Sequence, residues 1–525
     1  MTIPPGPRAG RALPREVAMT ALRPLLLGLC VALPAEAADA PWLEDIHLDV
    51  IPRTAAERAR IAAVTAPPED FAAPERFEAM PAGAATVRAT ENANAFSLPS
   101  ASLGPEGEFD FFLGNGLFKK LWVSSPASTR ASDGLGPLFN ARSCQRCHIK
   151  DGRGHPPKGP GDDTTSMFLR VSIPGGPEDA VAGIEGYLAT LPEPTYGGQI
   201  QDKALPGHAA EARMEIAYEE IPVELSGGTV VSLRKPTYRA ADPGYGAFHP
   251  DAMFSPRVAP QMIGLGLLEA IPAEEIVARA DPDDADGDGI SGRAQIVWSA
   301  VHDRPMLGRF GLKAGNATIL DQSASAFAGD IGISSPLVPA AHGDCTVNQA
   351  ACRGAPHGDG DARGHEIDAD ALELVEFYSA NLAVPARRDV DDSQVLHGKR
   401  VFHETGCASC HTPKHVTARL EGRDEHSFQL IWPYTDLLLH DMGPGLADGR
   451  PEARANGQEW RTPPLWGIGL TEQVSGHTYF LHDGRARSLI EAILWHGGEA
   501  QAARDRVVEM PAEDRDALVR FLESL

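Results

Sequence analysis

Two short segments, Cys144-Gln-Arg-Cys147-His148 and Cys407-Ala-Ser-Cys410-His411, repeat one pattern: a pair of cysteines three positions apart with a histidine directly after the second. Two thiols at this spacing can each add across a vinyl group of one porphyrin while the adjacent imidazole lies under its iron, so Cys-x-x-Cys-His is the attachment pattern of c-type haem. From the 7 Cys and 18 His among 525 residues, composition alone yields about 0.003 such matches, yet two are present. A thioredoxin-like dithiol or half of a zinc site requires no histidine there, and no nearby second pair completes a zinc tetrad. The chain is therefore expected to fold around two covalently bound c-type haems, with His148 and His411 as proximal iron ligands. With 53 Gly, 44 Pro and only 6% aromatic residues, it is loop-rich and short of apolar mass that haem would supply.

Covalent haem attachment and disulfides both belong outside the cytoplasm, and the start of the chain agrees. From Met19 it carries Arg23, an apolar run at Leu25–Leu33 and a small-x-small site at Ala35-Glu36-Ala37, the parts of a secretory leader. Residues 1–38 are read as that leader, with Met19 an alternative start, and Cys30 leaves with it. The run is too short to span a bilayer, and no other stretch approaches eighteen uncharged apolar residues, so the mature protein is expected to be exported, periplasmic and soluble, with no membrane span. Its 47 Lys plus Arg against 72 Asp plus Glu, a formal charge of −25, argues against nucleic acid or anionic lipid as partner. Cys345 and Cys352 are expected to form a structural disulfide. The alternative is a redox dithiol, but no flanking cation or helix start favours a low thiol pKa.

The elements around the haem sites occur twice. GLGPLFNARSCQRCH and HGKRVFHETGCASCH run into the two attachment sites, and Arg257-Val-Ala-Pro260-Gln-Met-Ile-Gly264 resembles Arg461-Thr-Pro-Pro464-Leu-Trp-Gly467 downstream. Each half closes with apolar residues at helical spacing behind an acidic start, in DADALELVEFYSANL and PAEDRDALVRFLESL. The expected fold is mainly α: two cytochrome c-like haem domains, the first enlarged by loops and a small β-hairpin insertion read from MEIAYEEIPVEL, a Ser-Gly-Gly turn and TVVSLRKPTY. The expected divisions after the leader are an N-terminal extension at 39–100, the first haem domain at 101–388 and the second at 389–525. This length suits two or three domains.

Together, the two haem motifs, RTPPLWGIGL, YFLHDGRARSLIEAILWHGGEA, GLGPLFNARSCQRCHIKDGRG and DADGDGISGR make the chain resemble the dihaem oxidoreductase family, whose members are labelled peroxidases or thiol oxidoreductases. That family is related to the bacterial dihaem cytochrome c peroxidases and to the dihaem enzyme that matures the methylamine dehydrogenase cofactor. The resemblance runs from about Phe109 to the C-terminus. It implies a calcium ion between two haem domains, peroxide or radical chemistry, and a small soluble electron donor of cytochrome or cupredoxin type. Peroxide or another small oxidant is the expected acceptor. By the same resemblance, His496 is the sixth ligand of the second haem, His482 lies in that haem's pocket as a catalytic residue, and Arg461 and Arg485 pair with haem propionates.

Other sites are read from residue type and spacing. Met442 competes with His496 as a ligand, and His155, His249, Met253 and Met262 are candidates at the first haem, which could equally be open. Glu269, and less strongly Gln261, is a candidate for the group that moves a proton between the peroxide oxygens. Trp460, Trp466 and Trp495 are candidates for a path between the haems. Asp284, Asp286 and Asp288 alternate with small residues before Gly289, as in the first half of a calcium loop. Gln295 stands where an EF-hand would have its bidentate glutamate, so other groups would have to complete the site.

Overall fold

The computed structural model describes residues 41–159, 162, 165–358 and 364–525; the leader expected at 1–38 lies outside the described residues. The elements that position the site are helices α1 (Ala55–Thr65) and α2 (Pro105–Lys119), strands β1 (Met167–Pro174), β2 (Arg213–Glu224), β3 (Val230–Ala241) and β4 (Met253–Val258), and helices α3 (Ile319–Ala326), α4 (Ala369–Ala380), α5 (Ser393–Glu404), α6 (Leu489–Leu494) and α7 (Ala512–Ser524). Several starts follow from side chains that satisfy otherwise unpaired N–H groups. Thr54 and Glu57 form a capping box at α1, Asp368 accepts the Ala371 N–H at α4, and Asp392 accepts those of Gln394 and Val395 at α5.

In each half, the helix before the haem motif crosses the closing helix at a glycine. A Cβ on Gly114 of α2 would lie 2.1 Å from the Leu374 carbonyl oxygen of α4, and one on Gly398 of α5 would lie 1.9 Å from that of Ala517 in α7. One turn further on stands a phenylalanine. The Phe118 ring is 5.1 Å from Tyr378 and 6.2 Å from His148, and the Phe402 ring is 5.2 Å from Phe521 and 6.4 Å from His411. The same packing unit is therefore built twice. The interval from phenylalanine to the first haem-motif cysteine is 26 positions in the first half and 5 in the second, which hides the correspondence in an ungapped reading.

The expectation of a mainly α fold is not met, since the structure is 30% helical and 17% strand with many small sheets. The strands that sequence periodicity misses are mostly short and pair across long intervals. Residues 167–172 of β1 pair with 258–253 of β4, and Leu439–Asp441 pairs with Glu459–Arg461; runs of three to eight residues give a weak period-2 signal. The β2–β3 hairpin is present and longer than a small insertion, pairing in register from Arg213↔Ala241 to Glu224↔Val230. Gly227 and Gly228 turn it, with φ of 90° and 82°. Its tip packs on the second half, where Leu225 and Leu233 join a core cluster with Phe402, Trp432 and Phe521, and Ser226 N–H donates to Val508 O at 2.8 Å.

Contacts unite the described residues in one compact unit. Its largest core cluster mixes Phe96, Ile263, Leu267 and Leu307 with Ile431, Leu437, Trp466 and Leu470. The segment before α2 is held to α5 by charge, with buried Lys399 Nζ 2.8 Å from both Glu75 and Glu78 and Arg387 paired with Glu78. Among the described residues, no helix is long and apolar enough to cross a membrane.

The glycine crossings give a stability prediction. Gly114→Ala and Gly398→Ala should each cost about 1–3 kcal/mol through overpacking. Gly116→Ala, where a Cβ meets nothing within 4 Å, should be neutral or stabilising by up to about 1 kcal/mol. Urea unfolding of the haem-loaded protein followed by far-UV circular dichroism measures the difference.

Candidate haem-binding active site

A single connected cavity of about 550 Å3 is lined by Cys144, Cys147 and His148 and by Cys407, Cys410 and His411. Neither cysteine pair is joined by a disulfide. Burial pushes the thiols of Cys144 and Cys407 up to about 12 and those of Cys147 and Cys410 up as well. Protonated, desolvated thiols are poor nucleophiles and poor zinc ligands, so neither the dithiol nor the zinc reading suits them.

Each motif histidine has one ring nitrogen tethered. His148 Nδ1 donates to Pro260 O at 2.8 Å and His411 Nδ1 to Tyr434 O at 3.0 Å. A proton held at Nδ1 leaves Nε2 with its lone pair, the form that ligates iron, and fixes the ring plane. Burial holds both imidazoles at about 4, the backbone bond opposing it, so both are neutral at physiological pH. Paired thiols, a tethered neutral imidazole and a cavity wall that includes Phe168, Phe310, Leu465 and Leu522 fit a haem at each motif.

His496 also lines the cavity, with Nδ1 donating to Ala492 O at 2.8 Å, and it is near enough to His411 for a charge on it to lower that group's proton affinity. Met442 lines the cavity too. Of the four candidates at the first haem, only Met262 does so, and it lies two residues from Pro260, the acceptor for His148. His155 Nδ1 lies 2.8 Å from Pro156 O, while His249 Nδ1 accepts the Asp251 N–H at 3.2 Å; neither lines the cavity, and nor does Met253.

His482 lines the cavity, stacked on Trp460 with ring centroids 3.8 Å apart and planes 13° apart. Burial lowers it to about 4 despite the neighbouring Asp483. Although it comes from the second half, its carbonyl accepts Val258 N–H at 2.8 Å, and that of Leu481 accepts Arg153. The motif is thus tied to the first half. Asp483 is engaged by Arg485, through Nε at 2.8 Å and NH2 at 2.8 Å. Arg485, expected at a propionate, is committed to Asp483 and to Gly445 O and does not line the cavity. Arg461 does, and its Nε donates to Gly311 O at 3.0 Å.

Glu269, expected as a proton carrier, does not line the cavity. Its buried carboxylate accepts Ile319 N–H at 2.9 Å at the start of α3 and lies 3.4 Å from Arg423, so it satisfies a helix terminus. Gln261 lines the cavity but donates to Trp466 O at 2.6 Å. Of the three tryptophans, only Trp460 reaches the cavity. Asp284 and Asp286 gather with Asp281, their carboxylate oxygens within 4.8 Å of one another, while Asp288 lines the cavity. Cys345 and Cys352 form a disulfide, buried beside Leu138 and outside the cavity lining.

Sequence reasoning missed five cations of the cavity wall, Arg153, Arg170, Arg257, Arg309 and Arg506. Arg257 was within reach, because it opens the segment that matches the one beginning at Arg461. It also missed the clamp on His440, which sits between Asp436 at 2.8 Å and Glu499 at 2.6 Å, with Nδ1 3.5 Å from Cys410 Sγ. Burial alone would lower this imidazole, but the two carboxylates outweigh it and hold it charged. Glu499, which burial would raise, is brought down to about 2 by His440 and the Asp441 N–H. Because its folded value lies below the unfolded glutamate value of about 4.3, Glu499 contributes stability above that pH, and the contribution is lost as pH falls toward 2. Glu499→Gln should therefore flatten the fall of the urea midpoint between about pH 4.3 and 2.

Among solved structures, hydrazine synthase from Kuenenia stuttgartiensis, pressurised with xenon, is 19% identical to this chain over 36% of its length, with a TM-score of 0.22. The match covers 65% of that chain, less than two thirds of its length. No curated protein matches. Residues 78–525 match the family described as "Di-haem oxidoreductase, putative peroxidase". With two thiol–imidazole sets opening on one cavity, the chain belongs to the di-haem oxidoreductase family.

Proposed function

We propose that this is a periplasmic peroxidase-type oxidoreductase with c-type haems held covalently at Cys144/Cys147 and at Cys407/Cys410. A small soluble donor of cytochrome or cupredoxin type delivers electrons at the second site, they pass to the first, and peroxide is reduced there: two electrons and two protons convert one peroxide to two waters. The observation that supports this reading is the shared cavity, which places both thiol–imidazole sets on one interior. Bound haem supplies the one-electron steps that let a single-electron donor serve a two-electron reduction.

The chain's own residues differ between the two sites. At the second, His496 is tethered as a motif histidine would be, and it would hold the iron of a haem there together with His411. At the first, none of the described candidates is tethered toward the cavity in that way, which suits an open position for a small oxidant. His482, expected in the second haem's pocket but held by Val258 and Arg153 of the first half and neutral at working pH, would accept the proton of the near peroxide oxygen at the first site and deliver it to the leaving one, which departs as water. Arg257 and Arg461, matched in the two repeats, supply cations for haem carboxylates. The acidic loop at Asp284 and Asp286, with Asp281 beside them, holds one calcium ion, with Asp288 following.

Peroxide titration of the loaded protein tests this reading. One ferric haem should be high-spin or become so in the half-reduced state, and it should respond to stoichiometric peroxide. Two six-coordinate low-spin haems in every redox state, unchanged by peroxide, would make the protein an electron carrier. His482→Ala should lower peroxide turnover by about 10²–10⁴-fold. Replacing Cys345 and Cys352 together by serine should leave turnover unchanged, whereas its loss would favour thiol chemistry at that pair.

A further inference from the structure

The β2–β3 hairpin comes from the first half yet meets the second along the segment that carries His482. Tyr238 of β3 donates its hydroxyl to Asp483 Oδ2 at 2.7 Å. Arg234 donates to Gly484 O at 3.1 Å, and Arg487 reaches back to Glu220 at 3.1 Å and to Ser232 O at 2.5 Å. Asp483 is fully buried. The oxygen that takes the tyrosine hydroxyl also takes Arg485 and lies 3.6 Å from His482 Nε2. One carboxylate oxygen is thus shared by three groups, one of them supplied by the hairpin.

We propose that Tyr238 is a positioning residue for the cavity histidine: through Asp483, the hairpin of the first half controls how His482 sits and exchanges its proton. This rests on the assignment of His482 as proton carrier and adds a residue from outside the haem-binding segments. A hydrogen bond to a carboxylate disperses its charge, so the tyrosine hydroxyl competes with the imidazole for Asp483 Oδ2. Without it, Asp483 draws a proton onto His482 more strongly, and the imidazole charges at higher pH. The other charged groups acting on His482 are Arg485, Asp448 and Lys313. Asp448 and Lys313 are paired at 2.8 Å; Lys313 Nζ and Arg257 also face Trp460, at 4.6 and 5.9 Å from its ring centroid. The hairpin leaves those pairs untouched. Desolvation dominates the low proton affinity of His482, and Asp483 opposes it, so weakening the competition for Asp483 moves the group upward.

The test uses the haem-loaded protein and does not depend on turnover. Protonation of an imidazole in the cavity should place a break in the pH dependence of a haem midpoint potential, near pH 4 in the natural protein and absent in His482→Ala. Tyr238→Phe, which keeps the ring and removes one oxygen, should move the break up by about one pH unit; Asp483→Asn should move it down. Potentiometry at stepped pH, with thermal melts to show that each variant is folded, gives the answer. An unmoved break in either folded variant overturns the proposal, as does a break that persists in His482→Ala. If the natural protein lacks peroxide turnover but the breaks move as described, the peroxidase reading fails and the role of Tyr238 stands.

Discussion

Two helices can approach until their backbones touch only where one of them lacks a Cβ. This constraint operates at Gly114 and at Gly398, and much of the site depends on it. Each close crossing carries a phenylalanine one turn away, and each phenylalanine lies against the histidine of its Cys-x-x-Cys-His motif. The imidazole is then fixed from two sides, by the ring and by a backbone carbonyl at Nδ1. Because the accepting carbonyl differs, Pro260 in one half and Tyr434 in the other, the duplication conserves the role of the contact and not its position in the chain.

From that shared frame the two sites diverge in charge. Beside Cys410 stands an imidazole held cationic by two carboxylates, in surroundings where a fixed charge acts over a longer range than in water. At Cys144 and Cys147 the largest charge effect on the thiols comes from Asp330, whose carboxyl burial holds above its usual range. His440 and its two carboxylates thus form one buried charged cluster against Cys410. A glutamate anchors that cation to its surroundings. Glu499 also accepts Ser291 Oγ–H at 2.7 Å, so the loop that follows the acidic cluster of residues 281–286 is mechanically joined to the clamp.

What could be read directly in the sequence was what is local. The haem motifs, the acidic starts of α4 and α7 and the disulfide partners depend on residues within about one or two turns of each other, and spacing alone carries them. The fold class was less legible because the strands are short and pair over long intervals, such as that between Met167 and its partner Val258. Glu269 shows the same limit at a single residue. A glutamate ending an apolar stretch has the chemistry of a proton carrier, and only the approach of Ile319 and Arg423 shows where that carboxylate is used. Four of the cavity arginines were missed for another reason, since Arg153 and Arg309 lie in loops with no periodicity to report burial, and Arg170 and Arg257 lie on the short strands β1 and β4, where the period-2 signal is weak.

The hairpin links the two halves at the point where their chemistry meets. His482 belongs to the second half by sequence, but its backbone is held by Val258 and Arg153, and its carboxylate neighbour by Tyr238. Neither half alone would build this arrangement. The shared core of Ile263 and Leu267 with Trp466 and Leu470 makes the same demand from the apolar side. Docking the halves therefore completes the cavity and the surroundings of His482 in one step, so a displacement between the halves would be felt at this imidazole as a change in its partners. A histidine placed at such a seam takes its partners from both halves, which a histidine packed wholly within one of them would not do.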